Sequence, residues 1–182
     1  MKLMLFSLLA AAFLTVQSIA GTTPTLPETM YLDSTLTPSL PTSREQRIKH
    51  FRLDKNHVAI DGYDPVSYFK STGPKKGSAS LAYDFDGVIY WFANAKNLTE
   101  FKTNPAQYEP VWGGWCGHAM ALRGEKVEIN PVCYKIVNGR NVLFFKTFYA
   151  NALTNWEKEI KKTPEQPLMA KGDVFWGDTF SK

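Results

Sequence analysis

Two dipeptides, Asp86-Gly87 and Asn138-Gly139, constrain this chain more than any other feature. Asp-Gly and Asn-Gly accept the positive φ angles that both central residues of a two-residue hairpin turn require. The first joins apolar, aromatic-rich runs over 80–84 and 88–92. The second leads into a run over 142–145. After the first hairpin, Asn94 is placed to cap a helix with Leu98 and Phe101 on one face, and Asn104-Pro105 ends it. After the second, Ala150, Leu153, Trp156 and Ile160 recur at helical spacing up to Pro164. Upstream, His57-Val58-Ala59-Ile60 reads as a short strand and Val66-Ser67-Tyr68-Phe69 as a helical turn entered at Pro65. The expected fold is therefore α+β: a small, mostly antiparallel sheet with short helices, arranged as two ββα-like halves. Asn130-Pro131-Val132-Cys133-Tyr134 echoes Asp64-Pro65-Val66-Ser67-Tyr68, which suggests that the halves are related.

Composition sets the boundaries. Lys2, the apolar run over 3–16 and Ser18-Ile19-Ala20 have the layout of a secretory signal peptide over 1–20. The run is short of the roughly 20 residues of a membrane span, so an uncleaved anchor is the lesser alternative. The expected location is periplasmic or secreted, with no stable membrane span after cleavage. Residues 21–48, rich in Pro, Thr and Ser, read as a linker, 49–164 as the folded domain, and 165–182 as a tail. Val174, Phe175, Trp176 and Phe180 give that tail the means to dock on the domain, or to serve as a partner-binding peptide. The formal net charge is +4 without a stripe of Lys and Arg, which argues against nucleic-acid binding. The aromatics between Tyr63 and Phe92 read as core, with a pocket for a flat ligand as the alternative.

Catalytic signatures are missing: there is no Gly-x-Ser-x-Gly, no His-Glu-x-x-His and no Cys-x-x-Cys. The soft, ligand-like side chains are Cys116, His118, Met120 and Cys133, a set suited to Cu(I), or to Zn if Met is left out. Gly124 as a C-cap favours a helix over 115–123, with Cys116 and Met120 on one face and His118 on another. Cys116 then sits in the first turn, where backbone N–H groups would lower its pKa. Four readings stay open. Cys116 and Cys133 form a disulfide, worth about 3 kcal/mol in the chain-entropy model. They ligate a metal, or both are unpaired buried thiols. Cys116 serves as the nucleophile of a thiol-dependent enzyme.

Asp64-Pro65-Val66, Tyr83 through Asp86-Gly87, Tyr90, Phe92, Phe101 and Asn104-Pro105 with Tyr108 together resemble the YHS domain over 57–110. Longer exported relatives are also similar over Ala59 to Phe69 and at Gly113-Gly114-Trp115-Cys116. YHS modules occur in copper-transporting ATPases, so the resemblance implies metal binding, copper first, by a protein of no assigned activity. The chain departs from the family where its cysteines should stand: those positions fall on Ser67, Ala93 and Asn97. A thiolate site cannot be carried over onto them.

Overall fold

Both dipeptides make tight hairpins. Asp86 and Gly87 have φ of 48° and 88°, and Asn138 and Gly139 have 49° and 76°. The computed structural model describes residues 43–181; the expected signal peptide and most of the linker lie outside them. Along the described residues run α1 (Arg44–His50), β1 (Ser78–Phe85), β2 (Val88–Phe92), α2 (Ala95–Thr103), α3 (Pro105–Tyr108), α4 (Gly117–Arg123), β3 (Asn130–Val137), β4 (Arg140–Phe144), α5 (Ala152–Glu159) and α6 (Glu165–Asp178). The sheets are two separate antiparallel hairpins, β1-β2 and β3-β4, so the chain is α+β as expected.

The expected linker boundary moves. Ser43 caps α1, accepting from the Gln46 N–H, and Arg47 is buried, so structure begins before residue 49. The stretch expected as a strand at 57–60 makes only isolated bridges, Leu53 with Ala59 and Val58 with Ile89, because Ile60 turns the chain into a short 3-10 helix. Pro65–Phe69 is the expected helical turn, again of 3-10 form. The tail is the 14-residue helix α6, whose Leu168, Met169, Gly172 and Trp176 form one buried stripe.

The two halves are related in a different register from the one the sequence echo suggests. A constant step of 52 residues carries 58 onto 110, 64 onto 116 and 92 onto 144. The parallel bridge Val58–Ile89 recurs as Pro110–Asn141. The register of β1-β2, with its irregularity between Ser78 and Ala82, recurs residue for residue in β3-β4 between Asn130 and Tyr134. Ile60, Asp61 and Gly62 all have positive φ, as do Trp112, Gly113 and Gly114. Asp64 N–H donates to the Lys75 carbonyl at 2.9 Å, and Cys116 N–H to the Val127 carbonyl at 3.0 Å. Asp64-Pro65-Val66 therefore corresponds to Cys116-Gly117-His118. Residues 130–134, expected to match it, form strand instead, because they lie in β3 opposite β4.

Each hairpin carries an aromatic core closed by the helix that follows it. Phe101 of α2 is surrounded by Tyr90, Phe92, Tyr83 and Phe85. Trp156 of α5 packs on Phe144 at 5.6 Å between ring centroids. These aromatics fill the core, as burial of large rings in a small domain favours.

Candidate functional site

The carboxylate of Asp64 is the best-connected polar group in the first half. It is fully buried. Oδ1 accepts from Val66 N–H at 2.9 Å and Ser67 N–H at 3.3 Å, which caps the 3-10 turn. Oδ2 accepts from Ala93 N–H at 2.9 Å and from the Asn97 amide at 2.7 Å. Ser67 Oγ donates to the Asp64 carbonyl at 2.6 Å and accepts from Lys75 N–H at 2.8 Å. Positions 67, 93 and 97, where the YHS pattern places cysteine, thus converge in space on one carboxylate. Serine and asparagine at two of them, with the backbone at the third, give a set of donors and acceptors that satisfies that charge internally.

Cys116 occupies the Asp64 position of the second half. Its buried Sγ accepts from Phe145 N–H at 3.3 Å, the counterpart of the Ala93 to Asp64 bond 52 residues earlier. It stands at the N-cap of α4 but makes no side-chain capping bond, since its sulfur is turned to Phe145. Gly117 follows because a Cβ there would approach Val142 Cγ1 to 2.3 Å. Gly124, with φ of 67°, closes α4 as the expected left-handed C-cap.

The other expected ligands stand in differing surroundings. Met120 shares the inward face of α4 and is fully buried core. His118 stands off that face, half-buried, under the influence of Arg123 and of Glu159 on α5. Cys133 lies on β3 with Sγ 3.5 Å from Asn151 Oδ1. Burial raises its pKa above the ordinary thiol value, with Lys146 and the backbone N–H of Leu153 partly opposing the rise. It is a thiol and not a thiolate at neutral pH. The expected Cys116–Cys133 disulfide is not formed: both cysteines are free and buried, each sulfur facing its own hydrogen-bond partner. Among the described residues no group of three His, Cys, Asp or Glu side chains could hold a metal ion.

These roles separate two substitutions. Cys116→Ser keeps an acceptor for Phe145 N–H and is expected to cost under about 1 kcal/mol. Cys116→Ala orphans that donor and is expected to cost about 1–3 kcal/mol. Urea unfolding of the two variants, with Cu(I) titration alongside, checks this. Equal stabilities together with copper uptake lost in both would return Cys116 to a ligand role.

His118 gives a pH signature. Burial first, then Arg123, lowers its pKa below the ordinary 6.5, with Glu159 partly offsetting. The unfolded chain then takes up the proton before the folded one, so this group removes stability as pH falls through about 6.5 and has no effect well above it. His118→Gln is expected to flatten the decline in melting temperature between about pH 7 and about pH 5. His50, lowered by burial and then by Lys126, leaves a residual slope. Identical profiles for wild type and variant would contradict the assignment.

Sequence reasoning missed a sizeable concavity among the described residues. A cleft of about 510 Å³ lies where α1, the 106–112 segment, the β3-β4 turn and α6 meet. Phe51, Pro110, Trp112 and Trp176 supply its apolar lining, with Arg47, Glu109, Arg140 and Asp173 among its polar groups. Asp173 accepts from Trp112 Nε1 at 2.9 Å and holds Arg140 through both oxygens at 2.9 and 2.6 Å. Glu109 holds the buried Arg47 and accepts from Tyr90 Oη at 2.7 Å. Burial alone would lower the Arg47 pKa, but the hydrogen bond and charge of Glu109 together outweigh it and raise it. Arg47 Nε is left buried without a partner. The close approach of Gly172 and Gly113 to Trp112 and Trp176 fixes both indoles: a Cβ on Gly172 would come within 2.4 Å of Trp112. The signal readable in sequence was the pair Trp112-Gly113, but it becomes a cleft wall only once α6 returns to it.

No helix among the described residues is long and apolar enough to cross a membrane. Comparison with protein-family models, with curated proteins and with solved structures finds no match to this chain.

Proposed function

We propose that this chain is a non-catalytic binding module, YHS-like in its first half, whose ligand site is the cleft between α1 and α6. The observation that carries the reading is the cleft itself: apolar rings with a half-exposed, carboxylate-oriented arginine, Arg140, beside them. Sites for small organic ligands have this make-up, a mostly apolar lining with few fixed polar groups. The convergence of positions 67, 93 and 97 on Asp64 supports the YHS-like reading, and the internal satisfaction of that carboxylate argues for a supporting rather than a metal-binding role there. Copper binding through Cys116, His118, Met120 or Cys133 is the weaker reading, since no group of three His, Cys, Asp or Glu side chains among the described residues could hold a metal ion. The ligand class that fits the cleft has a flat apolar body and one anionic group facing Arg140.

Anilinonaphthalene sulfonate has that form and serves as the probe. Trp112 and Trp176 line the cleft, so binding should transfer excitation from tryptophan to the dye with one-site saturation. Ala106→Trp, at an exposed lining position, should fill the cleft and weaken binding at least about tenfold, roughly 1.4 kcal/mol. Absence of saturable transfer, or transfer untouched by Ala106→Trp in a folded variant, overturns the reading.

A further inference from the structure

The 52-residue step exposes an insertion. In the first half Phe92 ends β2 and Asn94 already caps α2, with only Ala93 between them. In the second half Phe144 ends β4 and Asn151 caps α5, with Phe145 in the place of Ala93 and residues 146–150 added. The first half shows that strand and helix join without these five residues, so the fold does not require them. They are nonetheless well ordered by their own bonds. Lys146 bridges Asn151, Thr147 N–H donates to the Ala150 carbonyl at 2.8 Å, and Ala150 N–H donates to Thr147 Oγ1 at 3.2 Å.

At the tip of this turn stand Phe148 and Tyr149, each 93% exposed, edge to face with ring centroids 5.0 Å apart. Every other aromatic among the described residues is buried or half-buried, so two rings held in water on a fixed turn are an anomaly that a folding argument does not explain. A third exposed apolar side chain, Val132 at 52%, belongs to the same end of the hairpin. Its neighbour Cys133 touches Asn151 at the foot of the turn. Lys146 sits exposed at that foot, in a chain of net charge +4.

We infer that the 146–150 turn is a membrane-docking tip that inserts Phe148 and Tyr149 into the interfacial zone of an anionic lipid bilayer. The shape decides between lipid and protein. A stable protein partner needs roughly 800 Å² from each side. Two rings on a convex tip supply about 150–250 Å² each, well short of that. A bilayer interface asks for less: aromatic side chains whose apolar bodies enter the headgroup boundary, next to a cation that meets lipid phosphate. Phe148, Tyr149 and Lys146 provide this set on a support that loses little freedom on insertion.

The test uses the full chain with Ala150→Cys carrying an environment-sensitive fluorophore, since Ala150 is exposed and holds the turn through its backbone alone. Cys116 and Cys133 are buried, so labelling is directed to the turn. Vesicles of phosphatidylcholine, with and without phosphatidylglycerol, are the probe. The expected result is a blue-shifted, brighter emission on phosphatidylglycerol vesicles. In the Phe148→Ala, Tyr149→Ala background that emission change should be lost, with apparent partitioning of the tip weaker by at least about tenfold. Reporting from the turn itself separates this contact from any tethering by the apolar run near the N-terminus. Emission unchanged on vesicles overturns the inference. A concentration-dependent dimer that disappears in the double alanine variant also overturns it, assigning the turn to a second copy of the chain. Both substituted side chains are exposed, so the variant should fold and melt like the wild type.

Discussion

Asp64→Ala is expected to destabilise the protein by at least about 4 kcal/mol, a large share of the 5–15 kcal/mol typical of a domain. Four donors lose their acceptor together: the N–H groups of Val66, Ser67 and Ala93, and the amide of Asn97. Each buried donor left unpaired costs about 1–3 kcal/mol. The loss also unfastens three elements at one point, since these donors belong to the 3-10 turn, the residue after β2 and α2. Asp64→Asn should fall between wild type and alanine, because its amide nitrogen would face a donor where Oδ2 now accepts. Urea midpoints of the three proteins check the order. An alanine variant that unfolds within about 1 kcal/mol of wild type would show that the carboxylate does not hold the first half together.

Phe101→Ala comes next, with an expected loss of about 3–5 kcal/mol. The ring is fully buried and lies 4.9 Å from Tyr90, 5.2 Å from Phe92, 6.1 Å from Phe85 and 6.2 Å from Tyr83. Removing it leaves a cavity ringed by aromatics that are themselves anchored. Tyr90 Oη is held by Glu109 and cannot swing in to fill the space without breaking that bond. Far-UV and near-UV circular dichroism during urea unfolding would show whether the second half remains folded as the first loosens. A variant losing less than about 1 kcal/mol would mean that the site collapses freely, contrary to the anchoring described.

Much of the architecture could be read from local chemistry. Asp86-Gly87 and Asn138-Gly139 announced both turns, Asn94 its helix, and Gly124 the end of α4, because each of these residues acts within a few positions of itself. The relation between the halves could not be read that way. Its signature is backbone conformation at Ile60, Asp61 and Gly62 and again at Trp112, Gly113 and Gly114, where only the third residue is the same. Asn130-Pro131 looked like Asp64-Pro65 by composition, yet the pairing of Asn130 with Phe144 makes it strand. Cys116 drew attention as a soft nucleophile, whereas its place in the repeat makes it the counterpart of a carboxylate acceptor. Spacing in sequence put Cys116, His118 and Met120 together, and helical geometry then set His118 apart. The cleft was hidden for another reason: its walls come from α1, Trp112, Arg140 and α6, which are remote in the chain.

The return of α6 also orders events during synthesis. Each hairpin and its following helix can close on themselves as they leave the ribosome, since their contacts are close in sequence. Phe51 and Trp112 are different, because the groups that cover them are Trp176 and Gly172. Both rings must wait, uncovered, until α6 is made. A chain stalled before residue 165 would hold two formed halves and an open aromatic seam, the form in which chaperones or self-association would meet it.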